Sequence, residues 1–178
     1  MIIFLIFLGT YASYVWAGAA FFKQEKKNQK IAITKVLGLI FIASNLYFVF
    51  EQGSVATNAQ FFAALALLFL SNAFFWWAAK VNREKPLNFA FHSSKSKHLI
   101  TSGPYSLVRH PFYLSYLLGW LAAVVFAPSI ATLLSVMLMG CIYVFAMKGE
   151  EAQFLASELS EAYRAYMKQT KRILPFVY

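Results

Sequence analysis

Five long stretches of the chain carry almost no charge, and the polar residues fall between them in a few compact runs. Residues 2–22, 31–50, 59–79, 111–127 and 130–147 read as five membrane spans, because ~20 apolar residues at ~1.5 Å rise cross a ~30 Å hydrocarbon layer. The fourth span is short. Only Pro128 and Ser129 separate it from the fifth, which predicts a tight helical hairpin. Gly119, Ala123 and Gly140 give that hairpin small residues for close helix approach. The third span ends in Phe74-Phe75-Trp76-Trp77, which suits an interfacial aromatic belt. Ala17-Gly18-Ala19 resembles a leader cleavage site, but no Lys or Arg precedes the first apolar stretch, so it is read as a span.

The period changes after residue 149. Leu155, Leu159, Ala162 and Tyr166 recur at helical spacing, with Glu158, Glu161 and Arg164 elsewhere on the wheel. Residues 150–168 are therefore predicted to form one amphipathic helix. It is too polar to span and is expected to lie on the membrane surface or over the ends of the bundle. The expected fold is an all-α integral membrane protein of one domain, residues 1–178, with five transmembrane helices and a C-terminal amphipathic helix.

Composition agrees, and charge adds orientation. The chain is 60% hydrophobic and 13% charged, against roughly one half and one quarter in ordinary globular domains. Its formal net charge is +9. All 16 Lys and Arg residues fall in the loops after the first and third spans, at the edges of those loops, or in the C-terminal tail. The positive-inside rule then places the N-terminus outside and the C-terminus in the cytoplasm. Topology accounts for the basic balance, so no nucleic-acid partner is expected. Cys141 is the one cysteine. It forms no intrachain disulfide and is read as a small buried hydrophobe.

One polar interruption carries candidate chemistry, Thr101-Ser102-Gly103-Pro104-Tyr105 through Arg109-His110-Pro111-Phe112-Tyr113. Ser102-Gly103-Pro104 reads as a turn. Pro111 suits the first position of a helix, where its missing N–H is no loss. Free N–H groups and a positive dipole end then sit beside Arg109 and His110, a setting for a carboxylate or phosphate. A plainer reading stands beside it: an arginine at a span edge is a topology signal, and proline commonly starts helices. Glu150-Glu151 likewise fits a helix start, where acids gain from the dipole. His92, His98 and His110 have no cysteine or acidic neighbours at ligand spacing, so no metal site is expected. GxGxxG and Walker patterns do not occur, which leaves a soluble-type nucleotide fold unsupported.

Taken together, these residues resemble a known signature. Leu99-Ile100-Thr101-Ser102-Gly103-Pro104-Tyr105 followed by Val108-Arg109-His110-Pro111-Phe112-Tyr113 is similar to that of the isoprenylcysteine carboxyl methyltransferase family, which is related to the phospholipid N-methyltransferases. Glu150-Glu151, Leu155, Leu159-Ser160, Tyr163 and Tyr166 resemble that family's C-terminal helix, and Lys171-Arg172-Ile173-Leu174-Pro175 its closing basic-then-proline segment. The motifs run over residues 97–176.

The resemblance implies a membrane methyltransferase that uses S-adenosylmethionine on a lipid-like or prenylcysteine-like acceptor drawn from the bilayer. By position it implies a cytoplasmic cofactor site formed by Lys97, His98, Leu99, Ile100, Tyr105, His110, Pro111, Phe112, Tyr113 and Glu151, with Arg109 and Glu151 as catalytic residues. The sequence departs from the pattern at Lys97, where the family has histidine, at Ala152, its second acid, and at Leu159-Ser160, its Phe-Gly. Met147 stands where prenylcysteine enzymes carry an arginine, with Lys148 beside it. Arg109 remains to hold an anionic acceptor. The alternatives are a membrane reductase of the related sterol reductase type and a non-catalytic protein on the same scaffold.

Overall fold

The computed structural model describes residues 1–21, 29–53, 55–84 and 99–174. Among them are six α-helices and one 3₁₀ turn. The helices are α1 (Ile2–Phe21), α2 (Gln29–Gln52), α3 (Asn58–Glu84), α4 (Pro111–Phe126), α5 (Ile130–Leu155) and α6 (Ser160–Gln169), and the 3₁₀ turn covers Gly103–Ser106. Four of them, α1, α2, α3 and α5, are long and apolar enough to cross a membrane. Helix α4 has 16 residues, about 24 Å of rise, and falls short of a ~30 Å hydrocarbon layer unless the layer thins around it.

Local chemistry sets the helix ends. Pro111 opens α4, with His110 at the N-cap. Ser129 caps α5: its Oγ accepts from the Thr132 N–H at 3.1 Å, while the Thr132 hydroxyl accepts from the Ser129 N–H at 3.0 Å. This reciprocal pair satisfies donors that a helix start leaves unpaired, and so the chain turns between α4 and α5 within three residues.

The bundle is held by apolar packing with a few interhelical hydrogen bonds. Phe7 of α1, Val49 of α2, Leu68 of α3 and Phe126 of α4 meet in one buried cluster. Helices α3 and α4 approach closely at Gly119, where an added Cβ would lie 3.4 Å from the Ser71 hydroxyl. That hydroxyl donates to the Ser115 carbonyl at 2.6 Å and, its proton spent, accepts from Tyr14 at 2.7 Å. Three helices are tied through one serine. In a lipid environment such bonds and close small-residue contacts carry much of the helix association.

Five expectations are corrected. Helix α5 runs on to Leu155 rather than ending at Met147, and α3 runs to Glu84 rather than Ala79. The amphipathic segment 150–168 is two pieces, not one helix. Its first turns belong to α5, and α6 begins at Ser160 after a break at 156–159. Ser157 makes the break: its Oγ donates to the Phe154 carbonyl at 2.7 Å and accepts from the Leu159 N–H at 3.2 Å. Serine competes in this way with the helical ladder. Tyr163 then stacks on Phe154 with ring centroids 4.8 Å apart, folding α6 back along α5. Glu150-Glu151 therefore lie near a helix C-terminus, where the dipole opposes acids, and the reading of the pair as a helix start falls. Cys141 is exposed on the outer surface of α5, not buried.

Candidate active site

Segment 99–110 is folded by contacts on both sides. Gly103 has φ +63°, a conformation that costs an L side chain ~1–2 kcal/mol. A Cβ there would also lie 2.9 Å from Val81 Cγ2 and 3.2 Å from Trp77 Nε1 on α3. Glycine lets the turn sit flush on that helix. Next, Val108 pairs with Lys171 in a parallel β-bridge. The Arg109 N–H donates to the Lys171 carbonyl at 2.8 Å and the His110 N–H to the Arg172 carbonyl at 3.1 Å. The C-terminal segment thus runs beside the Arg-His-Pro motif and brings Arg172 into it.

At the centre lies Glu151, 4% exposed. Arg109 donates to its Oε1 from Nε at 3.1 Å and Nη2 at 3.0 Å. Arg172 donates from Nε to Oε1 at 3.0 Å and from Nη2 to Oε2 at 2.6 Å. His110 adds Nε2 at 3.2 Å. Three cations on one buried carboxylate supply the pairing that makes such burial tolerable. Arg109 also reaches the Thr170 carbonyl through Nη1, so each of its guanidinium nitrogens is bonded within the protein.

His110 links this centre to a second carboxylate. Its Nδ1 lies 3.3 Å from Glu150 Oε2, and the Tyr113 hydroxyl donates to Glu150 Oε1 at 2.8 Å. Both ring nitrogens face carboxylates, and only the imidazolium donates from both. Burial pulls the His110 pKa down, but hydrogen bonds and charge from Glu150 and Glu151 outweigh it and hold the pKa above the ordinary value.

Of the residues implied by resemblance, Arg109, His110, Tyr113 and Glu151 share this one network. Pro111 is buried at the start of α4. Ile100, Tyr105 and Phe112 instead pack with Ala78 of α3 in an adjoining apolar cluster, where the Tyr105 hydroxyl accepts from Asn82 at 2.7 Å. Leu99 is half-buried. Lys97 and His98 lie outside the described residues. Sequence reasoning missed Arg172 as a member of the charged cluster, although the closing basic-then-proline segment was recognised. It also missed Tyr116, Trp120 and Tyr143, which look like ordinary span residues. With Tyr113 they line an apolar cavity of about 340 Å³ beside the cluster.

An α-helical bundle with a paired charged cluster where α4 begins and α5 ends, and an apolar cavity beside it, defines a membrane-protein scaffold. The phospholipid methyltransferase family matches residues 59–162, more than half of the chain. The chain belongs to that family. It is also 37% identical over 81 residues to the cobalt-zinc-cadmium resistance protein CzcN of Cupriavidus metallidurans, a match covering 46% of this chain and 37% of that protein.

Proposed function

We propose that the protein is an integral membrane methyltransferase that uses S-adenosylmethionine and acts on an amphiphilic acceptor from the bilayer. The observation that carries the reading is the meeting of the two sequence motifs. Arg109-His110 and Glu150-Glu151, about forty residues apart, converge on one buried carboxylate beside a ligand-sized cavity. The donor set fits the cofactor. Its ammonium and ribose hydroxyls suit Glu150 and Glu151, and its carboxylate suits Arg172 and the α4 N-terminus. When bound, S-adenosylmethionine supplies an activated methyl group on a sulfonium. The chain's own part is to orient that group, hold the acceptor in line and exclude water. Arg109 would give up bonds it makes here in order to hold an anionic acceptor. The remaining pocket residues in this reading are Leu99, Ile100, Tyr105, Pro111, Phe112 and Tyr113, together with Lys97 and His98.

The sorting of basic residues supports five spans, with α4 the short fourth one, the N-terminus outside and the site facing the cytoplasm. The cofactor reading is tested by titrating S-adenosylhomocysteine into purified protein by calorimetry. Binding is expected in wild type. His110→Ala and Glu151→Gln should each weaken it by ~1–3 kcal/mol, the scale of a lost charged hydrogen bond. Glu158→Gln, in the turn after α5, should leave it unchanged. Equal effects from all three would remove the acidic pair from the site, and no binding to wild type would refute the cofactor.

A further inference from the structure

Two turns lie on the side of the bundle away from the charged cluster, and their chemistry differs. The turn between α2 and α3 is polar. Glu51, Thr57 and Asn58 are exposed around it, and the Thr57 N–H donates to Gln60 Oε1 at 2.9 Å. The turn between α4 and α5 is apolar. Residues 110–147 contain no Asp, Glu, Lys or Arg, and no tryptophan or tyrosine falls between Trp120 and Tyr143. Ile130, the first residue of α5, is 80% exposed, and Leu133 and Leu134 are exposed after it. A turn that met lipid headgroups would be expected to carry interfacial aromatics or charged anchors.

The hydroxyl groups this turn does hold are spent within it. Beyond the reciprocal pair of Ser129 and Thr132, the Thr132 hydroxyl donates to the Ala127 carbonyl at 2.9 Å and the Ser135 hydroxyl to the Thr132 carbonyl at 2.7 Å. Thr132 and Ser135 are fully buried, and Pro128 has no N–H to satisfy. Internal satisfaction of this kind is what a hydrocarbon surrounding demands.

Depth follows from packing. Phe126, the last residue of α4, shares a buried cluster with Phe7 of α1 and Ala64 of α3, and its ring centroid is 6.3 Å from that of Phe7. Helix α1 extends past Phe7 to Ile2, and α3 past Ala64 to Asn58, which carries both about 8–9 Å beyond the end of α4 at 1.5 Å per residue. Helix α5 is longer than α4, but its excess lies at the other end, where Glu150 and Glu151 join the cluster.

We propose that the α4–α5 hairpin stops short of the far membrane surface and ends inside the hydrocarbon, its tip at Ala127–Leu134 a binding surface for acyl chains of the far leaflet. Helices α1, α2 and α3 are long enough to hold a layer of full thickness around it. Thinning of the layer down to the tip would instead put Ile130 among headgroups and water, where its exposed side chain gains nothing. The proposal rests on the fold and not on the methyltransferase reading. The chain keeps five membrane helices, and its ends keep their sides, because a hairpin returns to the side it left. The consequence is that α4 and α5 meet water at their charged end alone.

The test places a nitroxide spin label on the full protein in liposomes of eighteen-carbon lipid, with Cys141→Ala removing the native thiol. Ile130→Cys reports the hairpin tip and Val55→Cys, 67% exposed, the polar turn. Power saturation with oxygen and with a water-soluble nickel chelate gives the depth of each label. The Ile130 label should be open to oxygen and shielded from the chelate, about 8–9 Å deeper than the Val55 label. Equal access of the chelate to both labels would overturn the proposal. So would an Ile130 label shielded from both reagents, which would mean that protein covers the tip, as a second copy of the chain would. Ile130→Asp gives an independent sign. In water an acid at the first position of a helix gains from the dipole, whereas in hydrocarbon its charge is costly. Thermal unfolding in the same liposomes should show a lower Tm than wild type, and an unchanged or raised Tm would overturn the proposal.

Discussion

The charged cluster at the end of α4 and α5 and the serine-centred tie among α1, α3 and α4 are two ways of keeping polar groups inside this bundle. The cluster gathers five ionisable side chains, Arg109, His110, Glu150, Glu151 and Arg172, and pairs each with others. The tie uses neutral groups only: Tyr14, Ser71 and the Ser115 carbonyl. Position separates them. The tie lies amid apolar helix surfaces, where a charge would be costly. The cluster lies where a segment outside the spans meets the ends of two helices. Energetically, the cluster should fail severely if its central member is removed, because the others lose a buried counter-charge. The tie should fail mildly, since each lost bond is between neutral groups.

The largest effect is therefore expected at Glu151. Glu151→Ala takes the shared carboxylate from two guanidiniums with side-chain exposures of 7% and 16%. Loss of ~3–5 kcal/mol is the usual consequence of breaking a buried pair. Thermal unfolding in detergent should show a clear fall in Tm, and proteolysis should reach the C-terminal segment that Arg172 anchors. A Tm equal to wild type would mean the cluster contributes no stability and is held only by its neighbours.

His110 comes next and gives the comparison a pH axis. Its folded pKa lies above the ordinary value near 6.5. Stability from its protonation is fully present below pH ~6.5 and is lost as pH rises through the higher folded value. Unfolding scans across that range should show Tm falling on the alkaline side. His110→Gln should flatten the decline by removing the titrating group, while the neutral tie around Ser71 contributes no slope. A decline that survives the substitution would assign it elsewhere.

How much of this was legible depends on the kind of signal. Helices show in a long apolar run, so the positions of α1 to α5 were readable, including the proline that starts α4. Their C-terminal ends were not. Nothing in apolar periodicity distinguishes Met147 as an end from Leu155, because the turns after Met147 pack on residues distant in sequence. The break at 156–159 turns on one serine hydroxyl and one ring stack, and serine occurs in helix interiors elsewhere in the chain. Motif resemblance found Arg109, His110, Tyr113 and Glu151. Arg172 could have been anticipated as a cation returning to an acidic pair, but the β-bridge that delivers it is long-range pairing with no local pattern. Tyr116 and Tyr143 had no signal, because the wall of a cavity is visible only once the helices around it are placed.

Gly103 sits between the two regions, joining the motif segment to α3. Gly103→Ala forces a side chain into a left-handed conformation and against Val81 and Trp77. A loss of ~1–3 kcal/mol is expected for strain of this kind. The readout is Tm together with S-adenosylhomocysteine affinity. Both should fall, since the turn positions the segment that carries Arg109. Loss of stability with unchanged affinity would separate the docking of the turn from the shape of the site.

The smallest effect belongs to the tie. Ser71→Ala removes the donor to Ser115 and the acceptor for Tyr14, two bonds through one atom. In water, a doubly bonded buried hydroxyl would be expected to cost more than either bond alone. In a membrane the unfolded helices also find polar partners, and measured interhelical bonds average only ~0.6 kcal/mol. The adjoining Gly119 lets the helices close partly over the lost hydroxyl, because the space involved is one oxygen wide. Ser71→Ala should therefore cost about 0.6 to 1 kcal/mol in detergent unfolding, well below Glu151→Ala. Tyr14→Phe should cost less again, because Ser71 keeps its bond to Ser115. A Ser71→Ala loss as large as that of Glu151→Ala would erase the contrast between a charged cluster and a neutral tie. It would mean that helix association, and not the charged end, limits the stability of the bundle.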